Sequence, residues 1–186
     1  ERLVPGDRRW EVEVGFGKGA YLLRRAADEL GTTAFLGIEI VSKYFRRVRD
    51  RARKRGLDNV ALIRGEALYL ISAARPAGFA SAVHVYPPDP CPKSRHNKRR
   101  LFDVESLDLL LGLLAPGGRL YVATDHVSYG ERVAGVLESH PGLAVERREE
   151  PWPDGPRTHY ERKFMAAGTP IVRLEAAPLM ASPDLH

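Results

Sequence analysis

The feature that most constrains this chain is a glycine loop flanked by two acids. Glu13-Val14-Gly15-Phe16-Gly17-Lys18-Gly19 follows the β-like stretch Trp10 to Val14, and a helical apolar pattern follows the loop. Glycines at alternate positions let the backbone turn tightly and pass close to a ligand. A helix opening there aims its N-terminus at that ligand. Glu39 ends the next β-like run, 20 residues after Gly19. From that position an acid reaches the ribose hydroxyls of an adenosine in nucleotide-binding α/β folds. The bland alternative is a glycine-rich turn with Glu39 on the surface. The agreement of strand, loop, helix and acid speaks against it.

Two cofactors suit such a loop. NAD(P) favours G-x-G-x-x-G with a diphosphate over the helix N-terminus, whereas this loop is G-x-G-x-G with Glu13 just before it. A carboxylate there would repel a diphosphate and attract the ammonium or sulfonium of S-adenosylmethionine. S-adenosyl-L-methionine is therefore the expected cofactor. The third strand leads into Arg64-Gly65-Glu66-Ala67. Glu66 is read either as an adenine contact or as an acid favoured by a helix dipole.

The remaining chain alternates β-branched runs with helical patterns, as in an α/β protein with a mostly parallel sheet. Strands are expected at Trp10–Val14, Thr33–Ile40, Asn59–Arg64, Ala80–Tyr86 and Arg119–Thr124, and a closing pair at Leu143–Arg147 and His159–Met165. Helices are expected at Gly19–Leu30, Lys43–Arg55, Asp103–Leu114 and Ser128–Ser139. The second of these has a very basic outer face and is closed by Gly56. About five strand–helix repeats and a final hairpin joined by a loop describe a Rossmann-like class I methyltransferase fold: a mostly parallel, doubly wound, seven-stranded sheet closed by an antiparallel hairpin. Residues 1–169 are read as one S-adenosylmethionine-dependent methyltransferase domain. Residues 170–186 are read as a C-terminal tail, with room for a short strand and a frayed end.

The fourth strand ends in Tyr86-Pro87-Pro88-Asp89-Pro90-Cys91-Pro92-Lys93. Prolines on both sides of Asp89 restrict the backbone and fix where its carboxylate points. The carboxyl ends of the strands form the ligand crevice in such a sheet, so Asp89 and Lys93 are candidate site residues; the bland reading is a stiff turn. In the following Ser94 to Arg100, five of seven residues can be cationic. That run is a candidate phosphate contact. As a solvated helix start it would oppose the dipole. The formal net charge of +5 and pI of about 9.5 suit a polyanionic partner without proving one. The surplus is mostly arginine, whose abundance also has compositional explanations.

The other bulk features exclude classes. The apolar fraction is 44% and the charged fraction 28%, as in a globular domain rather than a disordered chain. No apolar run approaches a membrane span, and Glu1 to Trp10 is too polar for a secretory leader. The lone Cys91 cannot form an internal disulfide, which suggests a reducing, cytoplasmic setting. The six histidines show no metal-ligand spacing. No metal, membrane or obligate protein partner is expected.

The chain resembles the bacterial tRNA (guanine-N7)-methyltransferase family. The likeness rests on Glu13-Val-Gly-Phe-Gly-Lys-Gly19, Gly37-Ile-Glu39, Asn59-Val60, Pro88-Asp-Pro-Cys-Pro-Lys93, Arg95-His-Asn-Lys-Arg-Arg100, Gly117-Gly118, Thr124-Asp125 and Arg157-Thr-His-Tyr-Glu161. The resemblance implies methyl transfer to N7 of a variable-loop guanosine in tRNA. It implies that Glu13, Gly15, Gly17, Glu39 and Glu66 bind S-adenosylmethionine, and that Asp89 sits at the centre of the site, touching cofactor and base. Lys93, Asp125, Thr158, Tyr160 and Glu161 would bind the guanosine; Arg95, His96, Lys98, Arg99 and Arg100 would contact tRNA. The sequence departs from the family at Cys91, where Trp is usual, at Glu66, where Asp is usual, and at Asn97, often His. By position alone, Asp125 would read as a helix cap near Ser128 and Glu161 as a strand-edge charge. A class I methyltransferase with another RNA or small-molecule target and a non-catalytic nucleic-acid-binding module are the alternatives.

Overall fold

The computed structural model describes residues 8–76, 78–86, 102–168 and 170–179, with the backbone alone at His159, Tyr160 and Phe164. Strand β1 (Arg9–Val14) alternates Glu11 and Glu13 on one face with Val12 and Val14 on the other. That alternation gives the sheet two unlike faces. The other elements are α1 (Ala20–Asp28), β2 (Thr33–Glu39), α2 (Ser42–Lys54), β3 (Val60–Arg64), α3 (Ala67–Ala74), β4 (Ala80–Val85), α4 (Val104–Leu111), β5 (Leu114–Thr124), α5 (Val127–Ser139), β6 (Leu143–Arg147), α6 (His159–Ala167) and β7 (Val172–Pro178). They form one seven-stranded sheet in the order β3-β2-β1-β4-β5-β7-β6. All pairings are parallel except those of β7 with β5 and β6. The expected doubly wound sheet with a closing antiparallel hairpin is thus observed.

The valine face of the sheet packs against α3, α4 and α5. Val12, Val14, Val83, Val85, Leu120, Val122 and Leu174 meet Leu68, Ile71, Leu107, Leu110, Val133 and Leu137 there. On the opposite face α1 and α2 enclose Phe16, Leu22, Leu23, Phe35 and Val48. Beside that cluster the same face becomes polar and aromatic, around Tyr21, Tyr86, Tyr121 and Trp152. The register aligns Glu13 with His84, His84 with Tyr121, and Tyr121 with Glu175 across four strands.

Two expectations are corrected. His159–Met165 is part of helix α6, not a strand. Thr158 accepts a hydrogen bond from the Glu161 amide at 2.8 Å, the N-terminal half of a capping box in T-x-x-E. The closing pair therefore spans a longer connection that includes a helix. Its second strand is β7, within the stretch expected to be a tail, and β7 lies inside the sheet between β5 and β6. Strand β5 also begins at Leu114, five residues earlier than expected. Its register against β4 shifts between Ala80 and Ala82, so Pro116 to Gly118 are taken up as an irregularity rather than as a turn before the strand.

Candidate active site

The chain runs outward through β1, β2 and β3, then returns to lay β4 beside β1. The crevice at the carboxyl ends of β1 and β4 is the topological switch point, where ligands bind in open α/β sheets. Glu13, Glu39, Tyr86 and Asp125 stand at or just past the carboxyl ends of β1, β2, β4 and β5 respectively. The glycine loop crosses from β1 to α1 at the same edge.

Glu39 organises that loop. Its carboxylate accepts from the Gly17 amide at 2.8 Å and from the Val41 amide at 2.7 Å. Gly15, Gly17 and Gly19 all have positive φ, and a Cβ on Gly19 would lie 2.6 Å from the Val48 side chain. The loop is therefore glycine for two reasons: left-handed backbone and tight packing onto α2.

Glu13 is different. It is 5% exposed, and its Oε2 has no hydrogen-bond partner among the described residues. Burial raises its carboxyl to about 8; the Leu22 backbone N–H in the first turn of α1 pulls it down less strongly, and Glu39 adds a further push upward. A buried acid left this short of partners is costly unless a cation or donor completes it. Its position beside the glycine loop fits an ammonium-bearing ligand. The S-adenosylmethionine chemistry expected from the sequence suits this donor set: a buried lone carboxylate, a second carboxylate holding the loop, and backbone exposed by glycine.

Glu66 is the N-cap of α3, accepting from the Leu68 amide at 2.9 Å and the Tyr69 amide at 2.8 Å. This is the helix-terminal role weighed for it. The cap of α5 falls not to Asp125 but to His126, whose Nδ1 accepts from the Tyr129 amide at 3.2 Å. Asp125 is half-buried at the end of β5 with no side-chain hydrogen bond or ion pair among the described residues. Asp89, Lys93, Arg95, His96, Lys98, Arg99 and Arg100, with Cys91, lie outside the described residues.

The structure adds a set of residues to which the sequence reading gave no role. Arg157, only 8% exposed, holds its guanidinium carbon 4.2 Å from the Trp152 ring centroid and 4.5 Å from that of Tyr121. It donates to the Tyr86 hydroxyl at 3.0 Å and to Asp154 at 3.1 Å. His84 Nδ1 lies 2.9 Å from the same Tyr86 hydroxyl, and its Nε2 lies 3.0 Å from Glu11. These partners assign the protons, since the Glu11 carboxylate accepts and Arg157 only donates. The His84 Nε2–H donates to Glu11, and the Tyr86 hydroxyl donates to His84 Nδ1. Burial pushes the His84 pKa down against the opposing pull of Glu11, which keeps the ring neutral. Arg157 thereby ties the start of α6 to the end of β4, where the Asp89 loop begins. The signal was present in the alternations W-E-V-E-V and A-V-H-V, which place Glu11 and His84 on the face opposite the valines.

Glu161 lies just beyond. It is 3% exposed, accepting from the Arg157 amide at 2.7 Å and from Arg173 Nε at 2.7 Å. Thr158 caps α6 through its hydroxyl, and Tyr160 lies in the first turn of that helix. Among the described residues no three His, Cys, Asp or Glu could share a metal ion, and no helix is long and apolar enough to cross a membrane.

Comparison with known proteins shows which family the chain belongs to. The model of the family Methyltransf_4, described as "Putative methyltransferase", matches residues 7–174. A tRNA (guanine-N(7)-)-methyltransferase from Geobacter metallireducens is 37% identical over 164 residues, covering 86% of this chain and 77% of that protein. One of the same name from Nitrosococcus oceani is 36% identical over 159 residues, covering 84% of this chain and 66% of that protein. The match thus spans just under two thirds of the Nitrosococcus protein. Among solved structures, an rRNA methylase from Streptococcus thermophilus shares the fold with a TM-score of 0.60 at 15% identity, over 94% of this chain and 89% of that one. With the family model spanning nearly all of the chain and relatives above 30% identity, the chain belongs to the bacterial tRNA (guanine-N7)-methyltransferase family.

Proposed function

We propose that this chain transfers the methyl group of S-adenosylmethionine to N7 of a guanosine in the variable loop of tRNA. The observation that carries this reading is Glu13: a buried carboxylate with an unpartnered oxygen beside a glycine loop, in a chain of this family. Bound S-adenosylmethionine supplies an electrophilic methyl on a sulfonium. Glu13 would pair with its ammonium and the Gly15–Gly17 backbone would allow its close approach; Glu39, which holds the loop, would bind the ribose, and Glu66, the cap of α3, would bind the adenine.

Guanine N7 has an in-plane lone pair and no proton, so the chain needs no general base. Its residues orient the base and stabilise the positive charge that the purine acquires. Asp89 takes this role at the centre of the site, and Asp125 supports it with its unengaged carboxylate. Lys93, Thr158 and Tyr160 would hold the guanosine, with Glu161 fixing the start of α6 through the Arg157 amide and Arg173, and the Arg95–Arg100 run would meet the tRNA backbone. Incubation with unmodified tRNA transcript and labelled S-adenosylmethionine, followed by nucleoside analysis, tests the reading. Label in 7-methylguanosine is expected; label in another nucleoside, or none, overturns it.

A further inference from the structure

Helix α2 is the most one-sidedly charged element among those described. Lys43, Arg46, Arg47, Arg51 and Lys54 recur at three- and four-residue spacing, so they share one face. All five are exposed, as are the adjacent Arg53 and Arg55. The helix's one acid, Asp50, is engaged by Arg49 at 2.9 Å. None of the other seven cations has an ion pair among the described residues.

This is a property of the region, not of an arginine-rich composition. On the far side of the molecule, the Arg147 beside α5 is bound by both Glu131 and Glu138, at 2.7 Å and 2.6 Å. Cations near the start of α2, Lys43 and Arg46, face an unfavourable helix dipole. Like charges four residues apart, such as Lys43 with Arg47 and Arg47 with Arg51, repel. Arg47, with a like charge four residues away on either side, thus carries repulsion that a polyanion would relieve.

The placement says which polyanion. The helix starts three residues after Glu39, and the Glu39 carboxylate bonds both the Gly17 amide and the Val41 N-cap amide. The stripe therefore begins at the rim of the donor loop. From there it runs about 16 Å from Lys43 to Lys54 at about 1.5 Å per residue. Exposed Lys18 and Arg64 stand at the same carboxyl edge. An anionic membrane is the poorer occupant: α2 turns Val48 and Ala52 inward and keeps Tyr44 and Phe45 half-buried, so the helix itself exposes no apolar residue to insert.

We propose that the α2 stripe is a second tRNA contact surface, binding the sugar-phosphate backbone of an arm whose modified loop lies at the crevice. It is distinct from the Arg95–Arg100 run and rests on the reading of the chain as a tRNA methyltransferase. Arginine suits it because its planar fork meets two phosphate oxygens.

The test is a Lys43→Gln/Arg47→Gln/Arg51→Gln/Lys54→Gln variant of the full chain. Glutamine has a helix propensity close to that of lysine and arginine, so the helix is retained. Its affinity for unmodified tRNA is measured across a salt series beside that of the wild type. At least a tenfold weaker affinity is expected, with a slope of log K against log salt shallower by about 0.7–0.9 for each phosphate no longer neutralised. Affinity for S-adenosylmethionine is expected to be unchanged. An Arg47→Lys/Arg51→Lys variant is expected to keep the slope. Wild-type affinity and slope in the glutamine variant overturn the proposal, as does loss of binding to anionic vesicles alone. A wild type that binds tRNA but leaves no 7-methylguanosine contradicts the methylation reading without touching this one.

Discussion

Glu13 and Glu161 are both buried glutamates at the same edge of one sheet, and they are built in opposite ways. Glu161 is complete: a backbone amide and a buried guanidinium engage its two oxygens. Glu13 is incomplete, with one oxygen that meets no donor among the described residues and a carboxyl raised by burial to about 8. The difference separates architecture from function. Where the fold needs a buried charge it supplies the counter-charge itself. Where a ligand is to supply it, the fold carries an unsatisfied group and bears its cost.

The contrast breaks most sharply at Glu161. Glu161→Ala leaves Arg173 buried and uncompensated, and we expect a loss of about 3–5 kcal/mol in urea unfolding. If the loss is within about 0.5 kcal/mol, in the range of an ordinary surface substitution, Glu161 is not a completed structural charge.

Glu13→Gln is expected to act in the other direction on stability and to abolish function. On the proposed pairing of Glu13 with the donor's ammonium, removing its charge should cost about 2–4 kcal/mol of binding, or roughly 30- to 1,000-fold in Kd by calorimetry. Ligand-free stability shows the opposite sign. The carboxyl titrates at 4.5 when unfolded and at about 8 when folded. The protonated acid therefore favours the fold; that contribution is complete below pH 4.5 and is lost as pH rises through about 8. Wild-type stability should fall across this window by on the order of a few kcal/mol more than that of Glu13→Gln. A variant less stable than the wild type at pH 8 would show that Glu13 has a partner after all.

Smaller effects refine the picture of the Arg157 tie. Arg157→Lys keeps the charge but loses the planar stack on Trp152 and Tyr121 and the geometry toward Tyr86. A loss of about 1–3 kcal/mol is expected in thermal unfolding. Thr158→Ala removes the cap of α6 and should cost about 1 kcal/mol. Equal stability of that variant and the wild type would place the start of α6 elsewhere.

The donor side of the molecule was legible in the sequence because its determinants are local. Strand, glycine turn, helix and Glu39 follow one another within Trp10 to Glu39, and each boundary carries its own signal. The acceptor side was not. The segment His159–Met165 mixes aromatic and charged residues that suit either strand or helix, and only the Thr158-x-x-Glu161 cap decides. Strand β7 pairs with β5 and β6 across long stretches of chain, which no local pattern announces. The roles of His84 and Arg157 depend on a register that lines up Glu13, His84 and Tyr121 on three strands. Their burial as polar residues follows from that alignment rather than from their neighbours in sequence.

The central claim is that Glu13 holds a proton until a cationic ligand displaces it. Calorimetric titration with S-adenosylmethionine at pH 7, repeated in buffers of different ionisation enthalpy, counts the protons released on binding. With a folded carboxyl at about 8, the wild type should release close to one proton more than Glu13→Gln, which binds weakly and releases none from this site. Tight binding by the wild type with no proton release would contradict the account.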